Sequence, residues 1–491
     1  MRWKNKFVTT ALAGALLLAP ANAAWGSVDQ KNLDTLTEVY KLLLDSHFSH
    51  PDQEKLLRAA INGMLTELND PFTNYFTPEE YASFVSAIQQ SYAGVGVSLA
   101  PREDGKALQV KEVFPGTPAE IAGLRVGDEI VQVDTTAATP DNLTHLADLL
   151  RGEADTSVSV QVVRGADAPR TFTMTRKAIE LPMVLSKDLG DGIGYIRIYS
   201  FGDRTSQEFA KALYELKQKG AKQLVIDLRG NGGGLVKSAL EIADSFLSEG
   251  TILNMHYEGQ DVAFTADADG DTTMPLAVLI DRNSASASEM LAGALQKNGR
   301  AKLVGETSFG KGTMQAPTEL PNGGYIKVSI DRWTLADGTS PDHVGLAPDV
   351  RLTRPEGFLN AALQALVPTR QETLVLSRTS HTGRLNDLEL TATPALVELA
   401  GRVYLPLRYS VEMLGAPVQY VPAEQIVKFT LQTHQVEINL ATGALVVDGK
   451  RSALANPVRM IDGSSYLAVD ALTEIGLAID IQVNEIKIHT R

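Results

Sequence analysis

An apolar run, Gln223-Leu224-Val225-Ile226-Asp227-Leu228, empties through Arg229 into Gly230-Asn231-Gly232-Gly233-Gly234. Such a short apolar run, cut off by glycines, reads as a strand buried on both faces. Further strand patterns lie at 193–198 and 276–280, with amphipathic helical patterns at 206–219 and 235–248 between them. Strand and helix in alternation predict an α/β layered body with a mainly parallel sheet over about 181–352. Glycine turns between strand and helix also cradle phosphates, but this one has neither a Walker lysine nor G-x-G-x-x-G spacing. Backbone donors aimed at an oxyanion fit it better, and one such donor is worth ~3 kcal/mol of barrier.

The segment 281–315, DRNSASASEMLAGALQKNGRAKLVGETSFGKGTMQ, carries the chemistry and contains no histidine. A serine hydroxyl needs a base, and a lysine can serve. Lys311 follows Ser286 by 25 residues. A lysine of pKa ~10.4 is neutral in about one molecule in 2,500 at pH 7, so burial must lower it by ~3 units. Leu303, Val304 and Phe309 are the apolar neighbours expected to do so, and Gly310 and Gly312 the glycines expected to let the chain pass close to a substrate. By chemistry alone Ser284, Ser286 or Ser288 can be the nucleophile. Ser286 is preferred because alanines flank it and because it can sit at a helix N-terminus. The plain alternative makes Ser284 an N-cap and Lys311 a surface charge. A Ser308–Lys311 S-x-x-K pair needs a helix that the glycines oppose, and no K-T-G motif is present. A Ser-His-Asp triad would need His256 or His343 with Asp227 or Asp342.

Ser284 to Glu289 (SASASE), Phe309 to Gly312 (FGKG), Gln315, and Asp227 to Gly234 (DLRGNGGG) together resemble the carboxy-terminal processing peptidases, or tail-specific proteases. The resemblance covers roughly 33–366. It implies a crotonase-like core with Ser286 as nucleophile, Lys311 as general base, Gln315 orienting the lysine, and the amides of Gly233 and Ala287 as the oxyanion hole. It implies no metal and no cofactor.

At 491 residues the chain has room for three or four domains of ~150 residues each. Residues 1–23 have the basic start, apolar run and small-x-small end (Ala21-Asn22-Ala23) of a signal peptide, so the protein is expected to be exported, extracellular or bound to the cell envelope. An uncleaved anchor is the alternative, disfavoured because the run falls short of the ~20 apolar residues a span needs. Zero cysteines exclude disulfides and thiolate metal sites, and a net charge of −14 argues against nucleic acid as a partner. Residues 28–85 read as helical, scaffold or homodimer contact. Segment 88–178, with Gly94-Val95-Gly96-Val97 and PGTPAEIAGLRVGDEI, closely resembles a PDZ domain, which takes a peptide's free C-terminus as an added strand. Gly94 to Val97 is the expected peptide site. Resemblance to regulated family members assigns Arg125 a contact with the protease body that communicates occupancy. The core is placed at 181–366, a linker at 367–386, and a last module at 387–491. In that module Gly401 to Leu407 repeats as Gly463 to Val469, each followed by a helix, a glycine and strands. It resembles the copper amine oxidase N-terminal-like module, a docking piece for a cell-envelope component. The whole is read as a multidomain α/β exported serine endopeptidase acting near the free C-termini of protein or peptide substrates. The alternative is an inactive peptide-binding scaffold.

Overall fold

The computed structural model describes residues 29–490 apart from 103, 104, 106, 166, 258, 259, 268, 269, 387, 391 and 392, so the expected leader or anchor lies outside the described residues. The described chain forms two compact units, 29–84 with 313–332, and 85–312 with 333–490.

In the first unit, helices Gln30–Ser46 and Gln53–Leu68 start on Asp29 and Asp52, whose carboxylates accept from the amides of Lys31 and Lys55. The expected apolar stripes are present, but neither helix buries a residue, and Leu33, Leu36, Val39, Leu43 and Met64 stay exposed. Thr77 and Glu80 form a capping box, through Thr77 N to Glu80 Oε2 at 2.9 Å and Glu80 N to Thr77 Oγ1 at 3.2 Å. Strand Asn74–Phe76 pairs antiparallel with the strand that begins at Tyr325, which also pairs with strand Thr313–Glu319.

The second unit is built on a six-stranded sheet in the order Val184–Asp188, Ile193–Ile198, Gln223–Asp227, Leu276–Ile280, Ala301–Gly305, Val350–Arg351. All neighbours but the first pair run parallel, as alternation of strand and helix requires. Leu276–Ile280 is buried at every position, the mark of a central strand covered on both faces. Val225, Ala277, Leu279 and Val304 pack with Phe358, Ala361 and Ala362 of helix Pro355–Leu366.

Residues 97–175 contribute an antiparallel sheet in which strand Val97–Pro101 has, among the described residues, a neighbour on one side only, Leu108–Val113. Helix Leu143–Leu150 packs beside it. Ser91–Gly94 and Lys177–Glu180 pair as a two-stranded ribbon that closes this domain's entrance and exit.

The expected linker is not one. Thr373–Ser377 is a strand buried at its three central positions, paired on one side with Gly383–Leu385 and on the other with Glu485–His489. Its polar flanks hid a strand whose partner comes more than a hundred residues later. The two repeat halves pair with each other, Tyr404 opposite Ala468 and Leu405 opposite Leu467, and Gly401 and Gly463 both hold φ 76° in the turns before them. Leu374→Ala removes a fully buried side chain from this sheet. It is expected to cost the C-terminal module about 2–5 kcal/mol; guanidinium unfolding followed by limited proteolysis of residues 370–490 will show the loss, whereas exposed Leu388→Ala will not.

Candidate active site

Strand Gln223–Asp227 ends on a carboxylate with no exposed surface. Asp227 accepts from Arg229 N, Nε and Nη2 and from the Tyr195 hydroxyl at 2.6 Å. Burial alone would raise its pKa, but the Arg229 guanidinium, aided by Tyr195, holds it below the usual carboxylate value. Burial, and then the Asp227 charge, push the Tyr195 phenol up. This pair anchors the base of the glycine loop. Beyond it, Asn231 Nδ2 donates to Ile198 O at 2.9 Å and Asn231 O accepts from Ala285 N at 3.1 Å.

The three serines separate here. Ser284 Oγ donates to Leu228 O and Ser288 Oγ to Asn231 O, so both stitch the serine turn to the glycine loop. Ser286 instead caps its own helix, its side chain facing the Glu289 N–H in a capping box, and donates to neither loop. Ser286 holds φ 56° and ψ −115° immediately before helix Ala287–Lys297. A non-glycine residue held this way stores about 1–3 kcal/mol, and such strain gathers at working sites. A Cβ on Gly233 would stand 2.8 Å from Ala285 O and 2.9 Å from Ser286 Cβ, so only glycine lets the loop lie against the serine. As a first-turn residue, Ala287 has no intrahelical acceptor for its N–H. The Gly233 N–H, expected in the oxyanion hole, instead donates to Asn231 Oδ1 at 2.9 Å.

The residue that joins these parts is one the sequence reading missed. Glu289 is fully buried, and its carboxylate accepts four hydrogen bonds: Oε2 from Ser286 N at 2.8 Å and Lys311 N at 2.9 Å, Oε1 from Ser308 Oγ at 2.5 Å and Gly310 N at 2.7 Å. The amides of Ser286 and Lys311 thus share one oxygen. The signal was there: S-x-x-E is the spacing at which a glutamate turns back to its helix's N-cap amide. Trp333, also buried, donates from Nε1 to Lys311 O at 3.0 Å.

Several expectations change. Gly310 and Gly312 admit loop 341–345, since a Cβ on Gly310 would stand 2.8 Å from Gly345 N and one on Gly312 2.4 Å from Asp342 Cβ. Phe309 is 54% exposed, while Leu303 and Val304 are buried in the sheet. The S-x-x-K reading fails because 308–311 is not helical and Ser308 Oγ is committed to Glu289 and Leu346 N. His343 is exposed and 3.8 Å from Asp342, His256 pairs with exposed Asp261, and Asp227 is taken by Arg229 and Tyr195. Gln315, on strand Thr313–Glu319, donates from Nε2 to Thr313 Oγ1 at 3.0 Å and Ser329 Oγ at 3.2 Å. Gly94, Val95 and Gly96 are buried just before edge strand Val97–Pro101, with Val95 O accepting from Ala119 N at 2.8 Å. The Arg125 side chain is exposed and makes no ion pair among the described residues. The arginine that matters to its loop is Arg164, bound twice to buried Asp128.

Residues 192–352 match peptidase family S41, residues 109–164 the PDZ domain, residues 384–489 the copper amine oxidase N-terminal domain and residues 17–80 the activating protease CtpB N-terminal domain. The carboxy-terminal processing protease CtpB of Bacillus subtilis (strain 168) is 34% identical over 357 residues, 72% of this chain and 74% of its own. The chain belongs to peptidase family S41. A carboxyl-terminal-processing protease of Synechocystis is 34% identical over 70% of this chain and 86% of its own. Among solved structures, the photosystem II D1 C-terminal processing protease aligns at 32% identity over 65% of this chain and 87% of its own, with a TM-score of 0.40. This S41 member is accordingly a serine-type protease with a PDZ domain and a β-rich C-terminal module.

In this protease Glu289→Gln would turn an amide NH₂ toward two backbone donors. Loss of charge-assisted bonds of about 1.5–3 kcal/mol each is expected to lower kcat on the order of 10²-fold with KM little changed. Steady-state kinetics alongside far-UV circular dichroism will separate this from unfolding.

Proposed function

We propose that this S41 protease is an exported endopeptidase that works with a Ser286/Lys311 dyad. The observation that carries the reading is the Glu289 carboxylate, which ties the amide of the strained serine to the amide of the lysine. Ser286 Oγ attacks the scissile carbonyl while Lys311 Nζ takes its proton, then returns it to the leaving amine. The Ala287 N–H donates to the oxyanion from the first turn of its helix, and Gly233 joins it when its N–H exchanges Asn231 Oδ1 for the substrate oxygen. Gln315, whose Nε2 donates to Thr313 Oγ1 and Ser329 Oγ, keeps the lysine-orienting role that the family resemblance implies.

The PDZ domain takes the substrate's C-terminal tail along strand Val97–Pro101, whose outer edge pairs with no strand among the described residues, with the tail carboxylate at Gly94–Val97. Export rests on the leader pattern of residues 1–23. Homodimerisation would cover the apolar stripes of Gln30–Ser46 and Gln53–Leu68.

Ser286→Ala and Lys311→Ala are each expected to abolish cleavage of a denatured protein substrate, by about 10³-fold or more, while His343→Ala keeps wild-type rates. Full activity in either dyad variant would overturn the assignment. Amidating a peptide substrate's C-terminus is expected to raise KM about tenfold or more; equal kinetics would remove the PDZ from tail recognition. Light scattering should find a dimer for the protein lacking residues 1–23, and Leu36→Lys with Leu43→Lys should yield a monomer.

A further inference from the structure

The C-terminal module presents two sheet edges to one another. Lys450–Arg451 is the last strand of the five-stranded sheet, and Val458–Ile461 the last strand of the four-stranded one. Between them lies a concave site of about 500 Å³, lined by residues that include Thr442, Arg451, Ser452, Asn456 and Arg459 and by no aspartate or glutamate. An acid-free hollow with two arginines has the opposite sign to the chain as a whole, whose net charge is −14. The module's other arginines are mostly spent: Arg370, Arg378, Arg402 and Arg408 each bond a carboxylate. Arg451 and Arg459 make no hydrogen bond or ion pair through their side chains among the described residues, and both are exposed.

We infer that this hollow is a binding site for an anionic polyol or sugar chain, gripped at a phosphate or carboxylate by Arg451 and Arg459. Guanidinium forks match both oxyanions and lose less hydration than ammonium groups on binding them. The two cations come from different sheets, so an anion seated between them meets a guanidinium from either side. The Asn456 side chain lies exposed on the same wall and can take a hydroxyl. Leu454 and Met460 flank it with apolar surface of the kind a sugar or polyol face rests on. Two open strand edges leave the ends of the hollow accessible to a chain rather than only to a free ion.

The test uses the full chain without residues 1–23, with three probes, inorganic phosphate, poly(glycerol phosphate) and polygalacturonate, and dextran as the uncharged control, measured by calorimetry at two salt concentrations. A salt-sensitive interaction with at least one charged polymer is expected, weakened tenfold or more by Arg451→Gln with Arg459→Gln. Phosphate competing with the polymer would make the phosphate group the feature recognised; competition by galacturonate alone would make it the carboxylate. Arg384→Gln with Lys302→Gln removes as much charge elsewhere and should leave binding intact. Equal loss in that control, unchanged binding in the arginine variant, binding of dextran alone, or no binding by any probe would each overturn the proposal. Proteolytic activity toward a denatured substrate should be unaltered in both double variants.

Discussion

A single buried carboxylate holds the reactive parts of this molecule in register. Glu289 lies on the helix that follows the serine, yet two of its four donors are amides on the far side of strand Ala301–Gly305, and a third is the Ser308 hydroxyl. An unpaired carboxylate in that position would cost several kcal/mol, so the four donors are a condition of the fold as much as a feature of the site. Once they are met, the lysine loop has little freedom: its amides are fixed by Glu289, its carbonyl by Trp333, and its two glycines by the loop that crosses them. The serine turn is fixed from the other direction, through Ser284 and Ser288. Ser286 is left as the one hydroxyl of the three that does not donate into the glycine loop.

The glycine loop is satisfied in a different way. Asn231 bonds the backbone on both sides of the loop and also takes up the Gly233 N–H. That N–H is therefore paired within the loop, and in the mechanism proposed above a substrate oxyanion has to compete with an amide oxygen for it. A developing negative charge is the stronger acceptor, so the exchange favours the transition state over a neutral carbonyl. The same loop is tied to strand-end residues at its back: Phe201 N donates to Gly233 O and Leu235 N to Phe201 O. Phe201 sits in a turn whose neighbours bond the root of the PDZ ribbon, Ser200 to Ile88 O and Asp203 to Gln89. Main chain that carries the PDZ domain is thus within three short links of the glycine loop.

Legibility followed sequence distance. The parallel sheet, the helix after the serine and the paired repeat of Arg402–Pro406 with Ser464–Ala468 were readable because each rests on local patterning or on internal likeness. Thr373–Ser377 was misread as linker because its burial depends on Glu485–His489, which no local window contains. Gly310 and Gly312 were noticed but given the wrong reason, since the backbone that needs them to be glycine lies thirty residues on, at 341–345. Arg125 drew attention by position in a motif; the ion pair that holds that loop comes from Arg164, on the other side of a strand. Glu289 was the one avoidable omission, because three-residue spacing from a helix N-cap is a local signal and the donors it collects are what a buried glutamate demands.

A second buried glutamate repeats the device at the junction of core and C-terminal module. Glu412 Oε2 accepts from Thr353 N at 2.8 Å and Thr353 Oγ1 at 2.9 Å, while Oε1 pairs with Arg408. Asn360 and Gln364 of helix Pro355–Leu366 add donors to Met413 O and Leu414 O. A helix that covers one face of the catalytic sheet therefore spends its outer side on the module. A pendant stalk would leave those amides and the Glu412 charge to water; here they are desolvated and paired, which makes them costly to separate. The module then acts as part of the wall of the protease, and whatever it grips through its own arginines is gripped by the catalytic body as well.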